Sequence, residues 1–239
     1  MTRERLAEMV ERGLVTPTGL ISHGRGEAFD YLMGERSPGP ALSAEMVAAA
    51  YLLKAKNPVI CINGNAAALD PGNLIGLAGD VSAKVEVNIF HRTEGRMELL
   101  ISYLEGEGAV SVLGRNPDAR IPGLSSDRAL CTKEGIFDSD VILVPIEDGD
   151  RAEALSKMGK IVISIDLNPL SRTSKTATVS ISDEMTRALE NIRAFVKELH
   201  GDDNRIGEVI RNFSNVENRK EMVRVICNSL ISESEGRVD

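Results

Sequence analysis

Pro58-Val-Ile-Cys-Ile-Asn-Gly-Asn65 decides the fold. Five apolar, mostly β-branched residues run without a polar break and stop on Asn63-Gly64. A strand that alternates apolar and polar residues has one face in water; a strand that is apolar throughout is covered on both faces, as in a parallel sheet. The same pattern recurs outward along the chain. Lys84 to Phe90, Val110 to Leu113, Val141 to Pro145, Ile161 to Ile165 and Val179 to Ile181 all read as short strands. Helical periods lie between and before them: Glu4 to Gly13, Ala41 to Ala55, a stretch through Leu74, Leu77 and Val81, Thr93 to Gly106, Asp150 to Met158 and Asp183 to Leu199. Short buried strands alternating with helices predict a Rossmann-like α/β fold, a doubly wound, mainly parallel sheet with helices on both faces.

The polar hinge Gly201-Asp-Asp-Asn204 divides the chain into a Rossmann-like domain with an N-terminal helical segment, residues 1–200, and a C-terminal helical extension, residues 201–239. The extension has helical spacing at Val209, Ile210 and Phe213, then at Met222, Val223, Ile226 and Leu230. Its polar end from Ser232 onward reads as frayed.

Composition excludes several classes. No apolar run reaches the roughly 18–20 residues that span a bilayer, and the first residues lack a signal-peptide apolar core. Cys61, Cys131 and Cys227 are scattered and never spaced as CxxC, which argues against a disulfide framework or a zinc site and for a reduced, cytoplasmic setting. Lys and Arg number 28 against 36 Asp and Glu, a net charge of −8 with few aromatics, so no nucleic-acid surface is expected. An anionic ligand would need a local arginine cluster to attract it against that field.

In an open parallel sheet, ligands bind beyond the carboxyl ends of the strands where strand order reverses. After the first strand, Asn63-Gly-Asn-Ala-Ala offers a tight turn, but it is not the GxGxxG dinucleotide fingerprint. The phosphate loop GxxxxGK[ST] is also absent; the single Gly-Lys pair, Gly159-Lys160, leads into a strand. A nicotinamide oxidoreductase is thereby disfavoured, and any nucleotide is held another way.

After the second strand, His91 and Arg92 stand at a helix mouth, where Arg opposes the macrodipole and so points to a bound anion, or else pairs with Glu94. Arg120, between two prolines in Asn116 to Leu124, is either an anion clamp or a tie to a neighbouring acid. Glu147, Asp148 and Asp150 are candidate ligands for a metal or hydroxyl, with Asp150 read as the N-cap of the next helix. Asp166, followed by Asn168-Pro169 and then Arg172, Thr173 and Ser174, combines an acid for ribose hydroxyls with donors for phosphate oxygens. The bland alternative is an Asx-turn beside a surface arginine. The early segment Ser22-His-Gly-Arg-Gly-Glu27 reads as a loop in which Arg25 is flanked by glycines and His23 is the general-base candidate by type. Cys61, inside a strand, reads as inert filler.

Taken together, residues 23–32 (His-Gly-Arg-Gly-Glu-Ala-Phe-Asp-Tyr-Leu), 59–65, 120–124 (Arg-Ile-Pro-Gly-Leu), 144–151 (Val-Pro-Ile-Glu-Asp-Gly-Asp-Arg) and 165–172 (Ile-Asp-Leu-Asn-Pro-Leu-Ser-Arg) resemble the archaeal phosphopantothenate synthetases. These are the 4-phosphopantoate–β-alanine ligases of coenzyme A biosynthesis, and the similarity runs from about Arg3 to His200. The resemblance implies a Rossmann-like homodimer that joins 4-phosphopantoate to β-alanine, converting ATP to AMP and pyrophosphate with Mg²⁺ accompanying the nucleotide. It implies ATP contacts on Arg3, Arg25, Asp166, Leu167, Asn168, Arg172, Thr173, Glu184 and Met185. His23, Arg25, Arg92 and Arg120 are then the catalytic candidates, with no metal held by protein side chains alone. The family's usual acidic Thr-Glu-Glu-Arg is here Thr93-Glu-Gly-Arg96, and His91 stands where an aromatic ring is usual. The competing class is a non-catalytic, dimeric nucleotide- or coenzyme-sensing module.

Overall fold

The computed structural model describes residues 2–235. Six strands form one parallel sheet: β1 (Pro58–Ile62), β2 (Lys84–Val87), β3 (Val112–Leu113), β6 (Val141–Pro145), β7 (Ile161–Ile165) and β8 (Val179–Ile181). Their order is β3-β2-β1-β6-β7-β8, so the chain builds outward from β1 to one edge and then restarts at β6 on β1's other side. The switch point lies between β1 and β6, where Val59 faces Ile142 and Ile60 faces Leu143.

Each central strand feeds two cores at once. Ile60 and Ile62 of β1 join the apolar cluster under the helices α3 (Gly39–Lys54), α5 (Pro71–Asp80), α6 (Glu94–Gly106) and α9 (Met185–Leu199). Val59 and Cys61 point the other way, into a smaller cluster with Ala152 and Leu155 of α7 (Gly149–Lys157) and with Ile121, Cys131 and Ile136. Burial on both faces is what the uninterrupted apolar runs predict. The second and third strands are shorter than their apolar runs: β2 ends at Val87, and Val110 is fully exposed before β3. The remaining two strands, β4 (Ala119–Arg120) and β5 (Leu130–Cys131), form a small antiparallel ribbon that no sequence pattern announces.

One prediction fails outright. The segment 22–27, read as a glycine-rich loop, lies inside α2 (Pro17–Met33). Thr16 caps that helix by accepting the Gly19 N–H at 3.2 Å, Pro17 occupies the first turn, and Gly34 ends it in a left-handed conformation at φ +81°. Beyond Gly19 in the first turn, the interior Gly24 and Gly26 cost about 1 kcal/mol each. Strong boundary signals and tertiary ties offset that: Asp30 pairs with Arg187 of α9 at 2.5 Å, and Met33 is buried.

The chain after residue 200 forms α10 (Asp203–Arg211) and α11 (Asn215–Ser234). Both pack on α3, and α11 also contacts α2. The expectation of fraying from Ser232 onward falls partly on residues 236–239, outside the described residues; Ser232 itself is helical.

Candidate active site

At the carboxyl ends of β1, β6 and β7 opens a cleft of about 840 Å³, on the switch point where the doubly wound rule puts ligands. Its floor is built from two β-to-α turns. After β1, Asn63 caps α4 (Gly64–Leu69) by accepting the Ala66 N–H at 3.0 Å, and its amide donates to the carbonyls of Pro145 and Ile146 at 2.9 and 3.0 Å. That pair of bonds holds Ile146 in a left-handed conformation, φ +52°, which a β-branched residue adopts only when its surroundings fix it. After β6 the chain turns through Glu147 and Asp148 into α7. Asp148, not Asp150, takes the N-cap position. It makes no capping bond there, because its carboxylate is drawn to Arg128.

The β7 wall is the Asp166–Thr173 segment. Asp166 accepts the Asn168 N–H at 3.0 Å, and its other oxygen accepts the Ser171 hydroxyl. Asn168 accepts the Leu170 N–H at 2.9 Å in a second turn of the same kind. Ser171 then caps α8 (Arg172–Thr176) through the Ser174 N–H. Burial pushes the Asp166 carboxyl up, opposed by the Ser171 hydroxyl, the Asn168 N–H, Ser174 and the nearby Arg25 cation. The Asx-turn that served as the bland reading is present, and Asp166 lines the cleft as well. Arg172 lies across the backbone of Gly149, 3.6 Å from Asp150; a Cβ at Gly149 would sit 2.5 Å from its Nε. The Thr173 hydroxyl is buried and donates to the Glu147 carbonyl at 2.8 Å, so it fastens α8 to the β6 turn.

Of the candidates, the structure brings Arg25, Asp166, Asn168, Arg172 and Thr173 together on the cleft lining. Arg25 stands on α2, which closes down on the floor where Gly19 meets Asn65; the Asn65 amide donates to the Gly19 carbonyl at 2.9 Å. The others stand elsewhere. His23 is on α2 but off the lining, and burial lowers its pKa. Arg3 pairs with Glu27 at 2.9 Å and with the Tyr31 hydroxyl. Arg92 turns away to the carbonyls of Gly114 and Arg115, at 2.6 and 3.3 Å, and makes no ion pair with Glu94. Arg120 donates to the carbonyls of Leu124 and Ser125, not to an acid. Leu167 packs with Met33, Ala41 and Met222; Met185 is in the main core; Glu184 caps α9 through the Thr186 and Arg187 N–H groups.

Two cleft arginines escaped the sequence reading. Arg128, on a single turn at Asp127–Ala129, is buried and pairs with Glu147 at 2.7 Å and with Asp148, while its guanidinium lies 5.7 Å from the Phe90 ring. Glu147 also pairs with the buried Arg151, whose Nη2 donates to Cys61 Sγ at 3.2 Å. Arg96, one turn into α6, donates to the carbonyls of His91 and Leu14 at 3.1 and 3.0 Å. The quoted string Thr93-Glu-Gly-Arg96 contained the latter; nothing local marked Arg128.

The lining thus carries Arg25, Arg96, Arg128 and Arg172 against Glu147, Asp148 and Asp166, a positive balance in a chain of net charge −8. Among the described residues no three His, Cys, Asp or Glu side chains gather as a metal site. No helix among them is long and apolar enough to cross a membrane.

Residues 40–229 match the phosphopantothenate/pantothenate synthetase family. A 4-phosphopantoate–β-alanine ligase of Methanosarcina mazei is 51% identical over 226 residues, 95% of this chain and 88% of that protein. One from Methanospirillum hungatei is 52% identical over 203 residues, 85% of this chain and 83% of its own length. A third, from Thermococcus onnurineus, is 46% identical over 225 residues, 94% of this chain and 85% of its own. With a match this long, the chain belongs to the phosphopantothenate/pantothenate synthetase family.

Proposed function

We propose that this chain is an ATP-dependent ligase that forms the amide bond between 4-phosphopantoate and β-alanine, as its relatives are named for doing. The observation that carries the reading is the cleft, where arginines from α2, α6, the 127–129 turn and α8 converge on the switch point of an acidic protein.

The chemistry needs that convergence. A carboxylate oxygen of the acid attacks the α-phosphorus of ATP and pyrophosphate leaves, giving an acyl-adenylate. The amine nitrogen of β-alanine then attacks the acyl carbon, loses a proton, and AMP departs. The first step brings two anions together, and preorganised cations lower that barrier. Arg25 and Arg172 are the phosphate-facing pair of this scheme, with Asp166 and Asn168 beside them for the ribose. Arg172 packs directly on the Gly149 backbone, an approach that only a glycine permits, and is thereby held at the start of α7 on the cleft lining. Mg²⁺ bound with ATP would offset part of the charge on its phosphates, and among the described residues no cluster of carboxylates gathers to hold the ion without the nucleotide. Asp148, exposed at the cleft floor, is better placed than His23 to take the amine proton.

The same reading takes the protein as a cytoplasmic homodimer, with residues 1–200 as the ligase domain and 201–239 as its extension. Exposed Ile21 and Tyr31 on α2 and Leu230 and Ile231 on α11 are apolar surface that a second copy would cover; light scattering of the purified chain tests it.

The deciding assay follows AMP and pyrophosphate while ATP, 4-phosphopantoate and β-alanine are omitted in turn. Product only when all three are present is expected. Nucleotide binding with no turnover under any pairing would replace the ligase with the sensing module.

A further inference from the structure

We propose that Arg96 is the seat of the phosphate of the phosphorylated acid, on the β1 wall of the cleft and apart from the nucleotide. This rests on the ligase reading and assigns one arginine that it leaves open.

The cleft has two similar corners. At each, a β-strand ends, a glycine opens a helix, and an arginine from a neighbouring element lies across that glycine. Arg172 covers Gly149 after β6; after β1, Gly64 is covered by the Leu14 carbonyl and, beside it, by Arg96, whose Nη2 a Cβ would meet at 3.0 Å. The first corner adjoins Asp166 and Asn168 and is taken by the nucleotide in the scheme above. The second has no such acid beside it. Its neighbours are His91, whose carbonyl receives Arg96 Nη1, and Phe90, which packs edge-on with His91 at 4.9 Å and lies 5.7 Å from the Arg128 guanidinium.

Half-buried Arg96 differs from the buried Arg128 in what meets its charge. Arg128 is neutralised by Glu147 and Asp148. Among the described residues Arg96 makes no ion pair. Its Nη atoms reach only two carbonyls, and its Nε is buried with no hydrogen-bond partner. A half-buried guanidinium on the cleft lining, held in place by carbonyls and without a counter-ion, is complementary to a dianion. Burial lowers its pKa, as for a cation without a compensating charge. A phosphomonoester supplies the missing negative charge and several acceptors. The short carboxylate of β-alanine supplies less charge, and the ATP phosphates are already served at the opposite corner.

The position also bears on selectivity. The family spans synthetases of phosphopantothenate and of pantothenate, whose acid substrates differ by one phosphate. A lone cation at the acid's end of the cleft is the simplest device to read that difference.

The test measures KM for all three substrates, and inhibition by inorganic phosphate, in the unmutated chain, Arg96→Gln and Arg96→Lys. Arg96→Gln should raise KM for 4-phosphopantoate about tenfold or more, the scale of one charge-assisted hydrogen bond. The KM values for ATP and β-alanine should stay within about twofold, since neither loses a contact. Inorganic phosphate should compete with 4-phosphopantoate and not with ATP, and this inhibition should weaken in Arg96→Gln and return in part in Arg96→Lys. A structural role for Arg96 would move all three KM values together and leave phosphate competition as it was. Either that pattern, or an unchanged KM for the acid in an active variant, overturns the assignment alone. Should Arg96→Gln not fold, Arg96→Lys decides by the same criteria. If the unmutated chain makes no product from the three substrates, the ligase reading falls and takes the assignment with it.

Discussion

Glu147 and Asp148 are neighbours that both pair with Arg128, yet they should differ sharply in what their loss costs. The Glu147 side chain is 2% exposed and also holds Arg151, itself 1% exposed; the Asp148 side chain is 62% exposed. Burial disfavours the charge on Arg151, and the Cys61 sulfur and Glu147 carboxylate more than offset that, so its pKa is raised. Glu147→Gln removes the shared anion and leaves two buried guanidinium groups to face each other. Losing one partner of a buried pair costs about 3–5 kcal/mol. Gln keeps the shape and one acceptor oxygen, which puts the expected loss near 3 kcal/mol. At about 2–4 °C per kcal/mol for a chain of this size, Tm should fall by roughly 6–12 °C. Asp148→Asn breaks a solvated pair worth less than about 1 kcal/mol and should move Tm by no more than about 4 °C.

Calorimetric melts of the two variants side by side supply the comparison. A third variant, Glu147→Gln with Arg151→Met, removes the stranded charge that packs most tightly, and replacing a buried ion pair by apolar bulk is often nearly neutral. It should therefore recover most of the single variant's loss. If Glu147→Gln melts within a degree or two of Asp148→Asn, or if the double variant is worse than the single by the full cost of a second lesion, the two arginines do not depend on Glu147 and the account of the cleft floor is wrong.

Arg172→Ala should cut pyrophosphate release by more than about tenfold, given roughly 1.5–3 kcal/mol per charge-assisted hydrogen bond; full activity would remove Arg172 from the phosphate site. Glu45 is buried against Asp183, and burial with that neighbouring carboxylate pushes its pKa up to about 9. The folded chain then keeps a proton that the unfolded chain releases near 4.5, so this group's stabilisation is full below that pH and lost as pH rises toward 9. Glu45→Gln imitates the protonated acid and retains the acceptor for Asn191, now at 2.9 Å, so its Tm should decline less than the unmutated chain's between pH 5 and 9 on the same scale; parallel curves would count against the raised pKa. Asn215, at the start of α11, accepts the Ser180 N–H and donates to the carbonyls of Ser174 and Ala177 at 2.9, 3.0 and 2.9 Å. Asn215→Ala should cost about 2 kcal/mol and lower Tm by roughly 4–8 °C, whereas an unchanged melt would show that the extension does not brace α8 and β8.

What the sequence discloses here, and what it withholds, follows from the range of each interaction. Strands buried on both faces are written in consecutive residues, so β1, β6 and β7 are legible to the residue. So is the Asp166–Ser171 turn, because its bonds close within a few positions. Helix α2 is not legible in its own residues, because Gly24 and Gly26 signal a loop locally while Thr16, Gly34 and the distant Arg187 decide the outcome. The arginines are the hardest, since a guanidinium on a helix mouth says nothing of which acceptor will claim it. Arg92 and Arg96 are four residues apart at the same strand end and carry the same signal. The carbonyls of Gly114 and Arg115 hold Arg92 off the cleft lining, where β3 ends beside it, while Arg96 stays on the lining with the Leu14 carbonyl beside Gly64. Gly114 can present its carbonyl there because it sits at φ +108°, with its α-carbon pressed against the Val87 carbonyl so closely that no Cβ fits. Which of these two arginines lines the cleft thus depends on a glycine more than fifteen residues away, through backbone geometry that no side-chain pattern records.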